Sequence, residues 1–242
     1  MLQKMTRRPA LRSAAVKSLR VLEQEVVACR KCPRLVRYRE QVARVKRRAY
    51  RDQTYWGRPV PGFGDPHAKL LILGLAPAAH GANRTGRVFT GDRSGDFLYR
   101  ELWRAGFANQ PESRNRDDGL KLKNAFISAT VRCAPPDNKP LPEEIRRCTP
   151  YLEAELDLLL PRAVLALGRI AFDAYLRILR QRGALDRKTK FHFSHGASFR
   201  LPASLPRLYA SYHPSQQNTQ TGRLTPAMMA GVLRQIANFL ES

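Results

Sequence analysis

Long apolar segments are missing from this chain of 242 residues, although 43% of its residues are hydrophobic. No apolar run approaches the ~20 residues that a membrane-spanning helix needs. The N-terminal stretch MLQKMTRRPALRSAAVKSLR is basic but has neither the apolar core nor the cleavage site of a secretory signal. We therefore expect a cytoplasmic protein with a single domain over residues 13–242, preceded by a disordered basic arm over residues 1–12.

Acidic residues are scarce. Aspartate and glutamate total 20 against 43 lysines and arginines, which gives a formal net charge of +23. A solvated surface does not require such an imbalance. Its common causes are binding to nucleic acid, binding to an anionic membrane, or a GC-rich genome that favours arginine. We interpret the excess as the footprint of a nucleic-acid-binding protein.

Cysteine is also rare, and the four residues fall into two local pairs. Cys29 and Cys32 form a C-x2-C motif, and Cys133 lies 15 positions before Cys148. In a reducing compartment such spacing indicates a metal site before it indicates disulfides. Four thiolates can ligate either a zinc ion or a [4Fe–4S] cluster, and spacing does not separate the two. The remaining alternative is four unrelated buried thiols.

Apolar runs alternate with helical patterns along most of the chain, which indicates an α/β fold with a mainly parallel sheet covered on both faces. In such sheets ligands bind at the carboxyl ends of the strands. Ser94 is a candidate N-cap for the helix that follows the first strand. The predicted strands are Lys69–Gly74, Asn124–Val131, Ala163–Gly168 and Arg207–His213, and the predicted helices are Ala14–Ala28, Ser94–Gly106, Pro142–Leu160, Arg169–Gly183 and Pro226–Leu240.

The loop GLAPAAHGANRTGRVFTGD follows the first predicted strand, over residues 74–92. It is neither a Walker phosphate loop nor a dinucleotide fingerprint. Its glycines permit close approach of a ligand, and residues 76–79 leave space and offer backbone amides. Phe89 and Asp92 would complete a small pocket for a flat ring, with the acid available for catalysis. Alternatively, the loop is structural, with Phe89 in the core and Asp92 capping the next helix.

Two further loops follow predicted strand ends. His213 closes the last strand and is a candidate site residue, because a histidine there faces the other strand-end loops. A lone histidine can also be a plain surface or core residue. The polar run after it, residues 215–221, is either an ordinary loop or a finger that enters nucleic acid, and CAPPDNKP follows the second strand.

Together these motifs resemble the uracil-DNA glycosylase superfamily, and within it family 5, the type B enzymes of bacteria and archaea. The resemblance rests on GLAPAAHGANRTGRVFTGD, SYHPSQQNTQTGRLT, VRCAPPDNKPLPEE and CRKCPRLV, and it runs from Cys29 to the C-terminus. It implies a three-layer α/β/α sandwich with a central four-stranded parallel sheet. It also implies a structural [4Fe–4S] cluster, whose ligands here would be Cys29, Cys32, Cys133 and Cys148.

The resemblance implies removal of a damaged base from DNA by hydrolysis of its N-glycosidic bond, without strand cleavage. The expected partner is damaged, mainly double-stranded DNA, bound by a monomer at the bacterial nucleoid. The catalytic residues would be Asp92, His213 and Asn138, and the base would lie against Ala76, Pro77, Ala78, Ala79 and Phe89.

One position sets the family apart. Most of the superfamily has Asp, Glu or Asn where this chain has Ala76, so the carboxylate must come from elsewhere, and Asp92 is the nearest acid. The segment FISATV also lacks the asparagine with which many relatives read uracil. We therefore expect a less selective pocket that accepts other deaminated bases such as hypoxanthine. A non-catalytic iron–sulfur or zinc nucleic-acid-binding module and a nucleotide hydrolase are the alternatives suggested by the residues alone.

Overall fold

The computed structural model describes residues 17–202 and 205–242. The predicted basic arm over residues 1–12 and the first three residues of the predicted first helix lie outside these ranges. Within them, no helix is both long enough and apolar enough to cross a membrane.

A six-stranded sheet in the order β1-β3-β2-β4-β6-β5 forms the centre of the molecule. The four predicted parallel strands are confirmed, and they pair in parallel throughout. The prediction of a four-stranded sheet was nevertheless two strands short, because each edge carries an antiparallel strand of two residues, too short to show a periodic pattern. The strands are β1 Phe63–Gly64, β2 Leu70–Gly74, β3 Ala125–Ala129, β4 Ala163–Leu167, β5 Ser198–Phe199 and β6 Arg207–Ser211.

The helices enclose this sheet, with two short 3-10 turns in the connections. The helices are α1 over residues 17–28, α2 Pro33–Val45, α3 Ala82–Thr85, α4 Arg93–Arg104, α5 Pro142–Leu159, α6 Arg169–Gln181, α7 Gln216–Gln220 and α8 Pro226–Glu241, and the turns are Arg48–Tyr50 and Pro136–Asn138. The sequence suggested Ser94 as the N-cap of α4, and this prediction was wrong. The cap is Asp92, whose carboxylate accepts the Gly95 N–H at 3.0 Å.

Side chains of the parallel strands alternate between two apolar layers, as the period of a strand requires. Leu70 and Ile72 of β2 pack with α4 and α8 on one face. Leu71 and Leu73 pack with α5 and α6 on the other. The three-layer α/β/α arrangement is confirmed, and both faces of the sheet are dry because helices cover each of them.

A third apolar cluster joins the N-terminal segment to the body of the domain. Leu22 and Val26 of α1 and Leu35 of α2 pack against Ile145 and Tyr151 of α5. This contact places the turn between α1 and α2 next to the segment that follows β3. Residues more than a hundred positions apart in the sequence therefore become neighbours.

Candidate active site

A pocket of about 440 Å³ opens at the carboxyl ends of the parallel strands. Three chain segments line it: the loop after β2, the loop after β3 and the segment after β6. Two predicted catalytic side chains, Asp92 and His213, share this pocket, and Asn138 lies at its rim. The predicted base-binding residues Ala76, Pro77, Ala78 and Phe89 line it as well.

Ala79 is the exception among the predicted base-binding residues. It does not line the pocket but lies behind its wall, where its carbonyl accepts the Asn83 side-chain amide at 3.4 Å. No acceptor in the described part of the chain takes the backbone N–H of Ala76 or Ala78. These two amides have no backbone acceptor, and both residues line the pocket.

Phe89 forms part of the pocket wall. Its ring lies 5.7 Å from the His213 ring between centroids, at an interplanar angle of 31°. Gly74 ends β2 directly beneath it, and a side chain there would place Cβ 2.8 Å from the Phe89 ring. The backbone of Phe89 has φ 51°, a left-handed conformation that an aromatic residue rarely adopts.

Asp92 combines the two roles that the sequence left as alternatives. Its carboxylate caps α4 and also lines the pocket. Burial raises the pKa of this carboxyl, while the backbone N–H groups of Gly95 and Ser94 and the charge of Arg84 act in the opposite direction. The carboxylate is packed so closely against Gly81 that any Cβ at residue 81 would overlap it. Only glycine is compatible with this position of the acid.

His213 lies two residues beyond the end of β6, not within the strand as predicted. Its backbone carbonyl accepts the Asn218 side-chain amide at 2.8 Å, which ties it to α7. Burial lowers the pKa of the imidazole to about 4. The ring is therefore neutral near pH 7 and has one N–H to donate.

Asn138 ends the 3-10 turn after β3, with Asp137 before it, and both have left-handed backbones. Asparagine and aspartate tolerate this conformation better than other side chains. The Asn138 side chain is exposed, so it can meet a ligand entering from solvent.

Arg93, Ser94, Ser215, Gln216 and Gln217 also line the pocket but were not predicted as site residues. Arg93 and Ser94 directly follow Asp92, and the other three begin the polar run after His213. The sequence could have indicated these five residues, because they lie in the same strand-end loops as the predicted ones.

A larger groove, of about 920 Å³, lies between α1, α2 and residues 56–58. It is away from the strand ends and contains neither Asp92 nor His213. We take the smaller pocket as the candidate active site because it collects the predicted groups where parallel sheets bind ligands.

The four cysteines converge on a separate small cavity. Cys29 and Cys32 come from the turn between α1 and α2, Cys133 from the segment after β3, and Cys148 from α5. None of the four forms a disulfide. Burial raises the pKa of Cys133 to about 12 and that of Cys148 to about 11. Within the described ranges, no group of three or more His, Cys, Asp or Glu residues is arranged to hold a single metal ion.

Two buried arginines flank these thiols. The Arg132 backbone N–H donates to the Cys148 sulfur at 3.3 Å, and its guanidinium pairs with Glu155 at 2.6 Å. Arg39 is 2% exposed, and among the described residues its one ion-pair partner is the half-exposed Glu40, at 3.6 Å. In both guanidinium groups Nε and Nη1 have no hydrogen-bond partner among the described residues. Buried charge of this kind favours an anionic neighbour.

The model of the uracil DNA glycosylase superfamily matches residues 61–237, which include the whole pocket. The chain belongs to this superfamily. It is 53% identical over 224 residues to a protein of Mycobacterium leprae named Type-5 uracil-DNA glycosylase, a match that covers 92% of this chain and 96% of the relative. The corresponding protein of Thermus thermophilus is 54% identical over 211 residues, covering 87% of this chain and 93% of its own.

A relative named Type-4 uracil-DNA glycosylase, from Sulfurisphaera tokodaii, is 29% identical over 153 residues, or 63% of this chain and 55% of its own. Relatives named Type-5 match at about twice that identity and over more of the chain. The resemblance to family 5 of the uracil-DNA glycosylases is therefore confirmed.

We predict that His213 stays neutral well below pH 6 because its desolvated ring resists protonation. The free energy of unfolding should fall as the pH drops from 6.5 to about 4, since the unfolded chain binds this proton first. An NMR titration of the histidine ring protons, assigned with a His213→Gln variant, would measure the midpoint. A midpoint near 6.5 in the folded protein would contradict the buried position of the ring.

Proposed function

We propose that this protein hydrolyses the N-glycosidic bond of uracil in DNA, leaving an abasic site and not cutting the strand. The observation that carries the proposal is the meeting of Asp92, His213 and Phe89 in one pocket at the strand ends. The names of the Type-5 relatives support it. They do not support the alternative of a non-catalytic binding module.

The target base must leave the stack to reach such a pocket. Its volume of about 440 Å³ lies within the range of small-molecule sites and leaves room beside a single base. Phe89 would cover one face of the flipped base. The free amides of Ala76 and Ala78 would meet its carbonyl oxygens.

Bond cleavage leaves positive charge on the sugar and sends the bonding electron pair to the base nitrogen. His213, neutral because it is buried, would donate its N–H to a base carbonyl oxygen and stabilise the departing anion. Asp92 would position the attacking water, accept its proton and favour the cationic sugar. Ala76 cannot take this part, because a methyl group neither binds nor deprotonates water.

Asn138 would hold water or base at the mouth of the pocket, where its side chain is exposed. The net charge of +23 provides the electrostatic attraction to phosphates, and Arg93 brings part of it to the pocket itself. We further propose that the substrate is mainly double-stranded and that the protein acts as a monomer.

We predict that Asp92→Asn and His213→Ala each lower the single-turnover rate of uracil release strongly, His213→Ala by about 10²–10³-fold as for loss of an oxyanion-hole donor. The assay uses a uracil-containing duplex in a buffer that contains a metal chelator. We expect the strand to break only after the product is treated with alkali. Asp96→Asn is the matched control, because this exposed acid lies on the same helix outside the pocket. Full activity of Asp92→Asn would contradict the role of the acid.

The pocket should also release hypoxanthine, because the segment FISATV, residues 126–131, has no asparagine that would restrict the pocket to uracil. A panel of duplexes with uracil opposite guanine, hypoxanthine opposite thymine, and undamaged pairs would measure this. We expect release of both deaminated bases and of no undamaged base. Release of uracil alone would show that the pocket is selective by another means.

We also propose that Cys29, Cys32, Cys133 and Cys148 hold a [4Fe–4S] cluster. Their fit to an anionic metal–thiolate centre rests on their convergence, on the N–H donated to Cys148, and on the two buried nitrogens of the Arg39 guanidinium that have no hydrogen-bond partner among the described residues. The choice of iron–sulfur over zinc rests on the family resemblance. Bound there, the cluster would join the α1–α2 turn to α5 and contribute to folding.

We predict that the purified protein contains about four iron and four sulfide per chain, and that Cys29→Ala loses iron and folded stability more than it loses chemistry. Metal analysis and thermal unfolding would measure both. Arg30→Ala, an exposed neighbour of Cys29, should keep its iron. Stoichiometric zinc, or a stably folded but inactive Cys29→Ala protein, would overturn this assignment.

A further inference from the structure

The backbone at Phe89 is held in a conformation that its side chain does not favour. Its φ of 51° lies in the left-handed region. Its carbonyl is packed so tightly against Gly95 that any Cβ at residue 95 would overlap it. Such conformations persist only where the surroundings determine them. The residues beside Phe89 show what does so here.

Both neighbours of Phe89 are fixed by buried hydrogen bonds. The Val88 carbonyl accepts the Tyr99 hydroxyl at 2.9 Å and the Thr90 hydroxyl at 3.2 Å. The Thr90 oxygen lies 2.6 Å from the Ser113 hydroxyl. Tyr99 and Thr90 are fully buried, so water cannot replace these bonds.

Arg87 connects these buried hydroxyl groups to an ion pair with Asp118. Its Nε donates to the Thr90 hydroxyl at 3.0 Å and its Nη2 to Ser113 at 2.8 Å. The two Nη groups also donate to the carboxylate of Asp118 at 2.9 and 2.6 Å. All three guanidinium nitrogens of Arg87, through four of its five N–H groups, thus donate to the segment beside Phe89 and to the loop opposite.

Asp118 in turn organises its own loop. Its carboxylate accepts the backbone N–H groups of Arg114 at 2.7 Å and Leu120 at 3.0 Å. Its pKa is held far below the usual aspartate range by Arg87 and these amides, although burial opposes them. The carboxylate is therefore charged throughout the working pH range and keeps its pairing with Arg87.

We propose that Arg87, Thr90, Ser113 and Asp118, which we call the Arg87 clamp, position the Phe89 ring for stacking on the flipped base. None of the four lines the pocket, so they act through Phe89 and are positioning residues. The inference rests on the proposed function, because it assigns the ring its task in that reaction.

A double-mutant cycle tests the clamp. Asp118→Asn keeps the shape of the side chain but directs an amide N–H₂ or a neutral oxygen at Arg87. Phe89→Leu keeps an apolar side chain but removes the aromatic face. We expect Asp118→Asn to lower the single-turnover rate of uracil release about tenfold with Phe89 present, the effect of about one lost hydrogen bond. With Leu at residue 89 it should lower the rate less than twofold.

Glu112→Gln is the matched control, because it removes the same charge from the same loop at an exposed ion pair. Glu112→Gln should keep the single-turnover rate of uracil release within twofold of wild type. Its affinity for undamaged duplex DNA should equal that of wild type. Should Asp118→Asn fail to fold, Ser113→Ala breaks the uncharged part of the clamp and enters the same cycle.

An equal loss in both backgrounds would overturn the inference, because the effect would then be general and not transmitted by the ring. An Asp118→Asn protein that releases uracil as fast as wild type would also overturn the inference. In either case wild-type release of uracil would leave the proposed function intact. A wild-type protein that releases no uracil would overturn both proposals together.

Discussion

The parallel register of β2 between β3 and β4 is the constraint on which the site depends. Because these strands run in the same direction, the loops that follow β2 and β3 leave the sheet at the same edge. The segment after β6 joins them there, since β6 pairs in parallel with β4. Asp92 and His213 are separated by more than a hundred residues in the sequence, and the parallel pairing of β2, β4 and β6 brings them to one pocket.

Within that frame, close packing fixes the direction of the functional groups. Gly74, Gly81 and Gly95 are the points where Phe89 or Asp92 presses on neighbouring backbone, and none of them has room for a side chain. Asp92 is held further by capping α4, so its carboxylate has a defined position before any ligand arrives. Capping is compatible with the proposed catalytic role, because a carboxylate has two oxygens and Gly95 N–H donates to only one of them.

Much of this was accessible from the sequence. Alternation of apolar runs with helical patterns predicted the four parallel strands. Because parallel sheets bind ligands at the carboxyl ends of their strands, the sequence also predicted which loops would meet. The two edge strands were missed because two residues carry no period. Ser94 and, in the alternative interpretation of the loop, Asp92 were both candidate caps, because either residue type can cap and only the geometry of the preceding turn decides. The pairing of Arg87 with Asp118 could not be predicted, because it depends on how the loop before β3 folds over α4.

The side-chain amide of Asn83 has a consequence of its own. It donates to the carbonyl of Arg39 in α2 at 3.2 Å and to that of Ala79 at 3.4 Å. One buried group thus links the helix that leaves the cysteine turn to the rear of the ligand-binding wall. A displacement of α2 would therefore shift the backbone at Ala79, beside the candidate pocket, through a single buried residue.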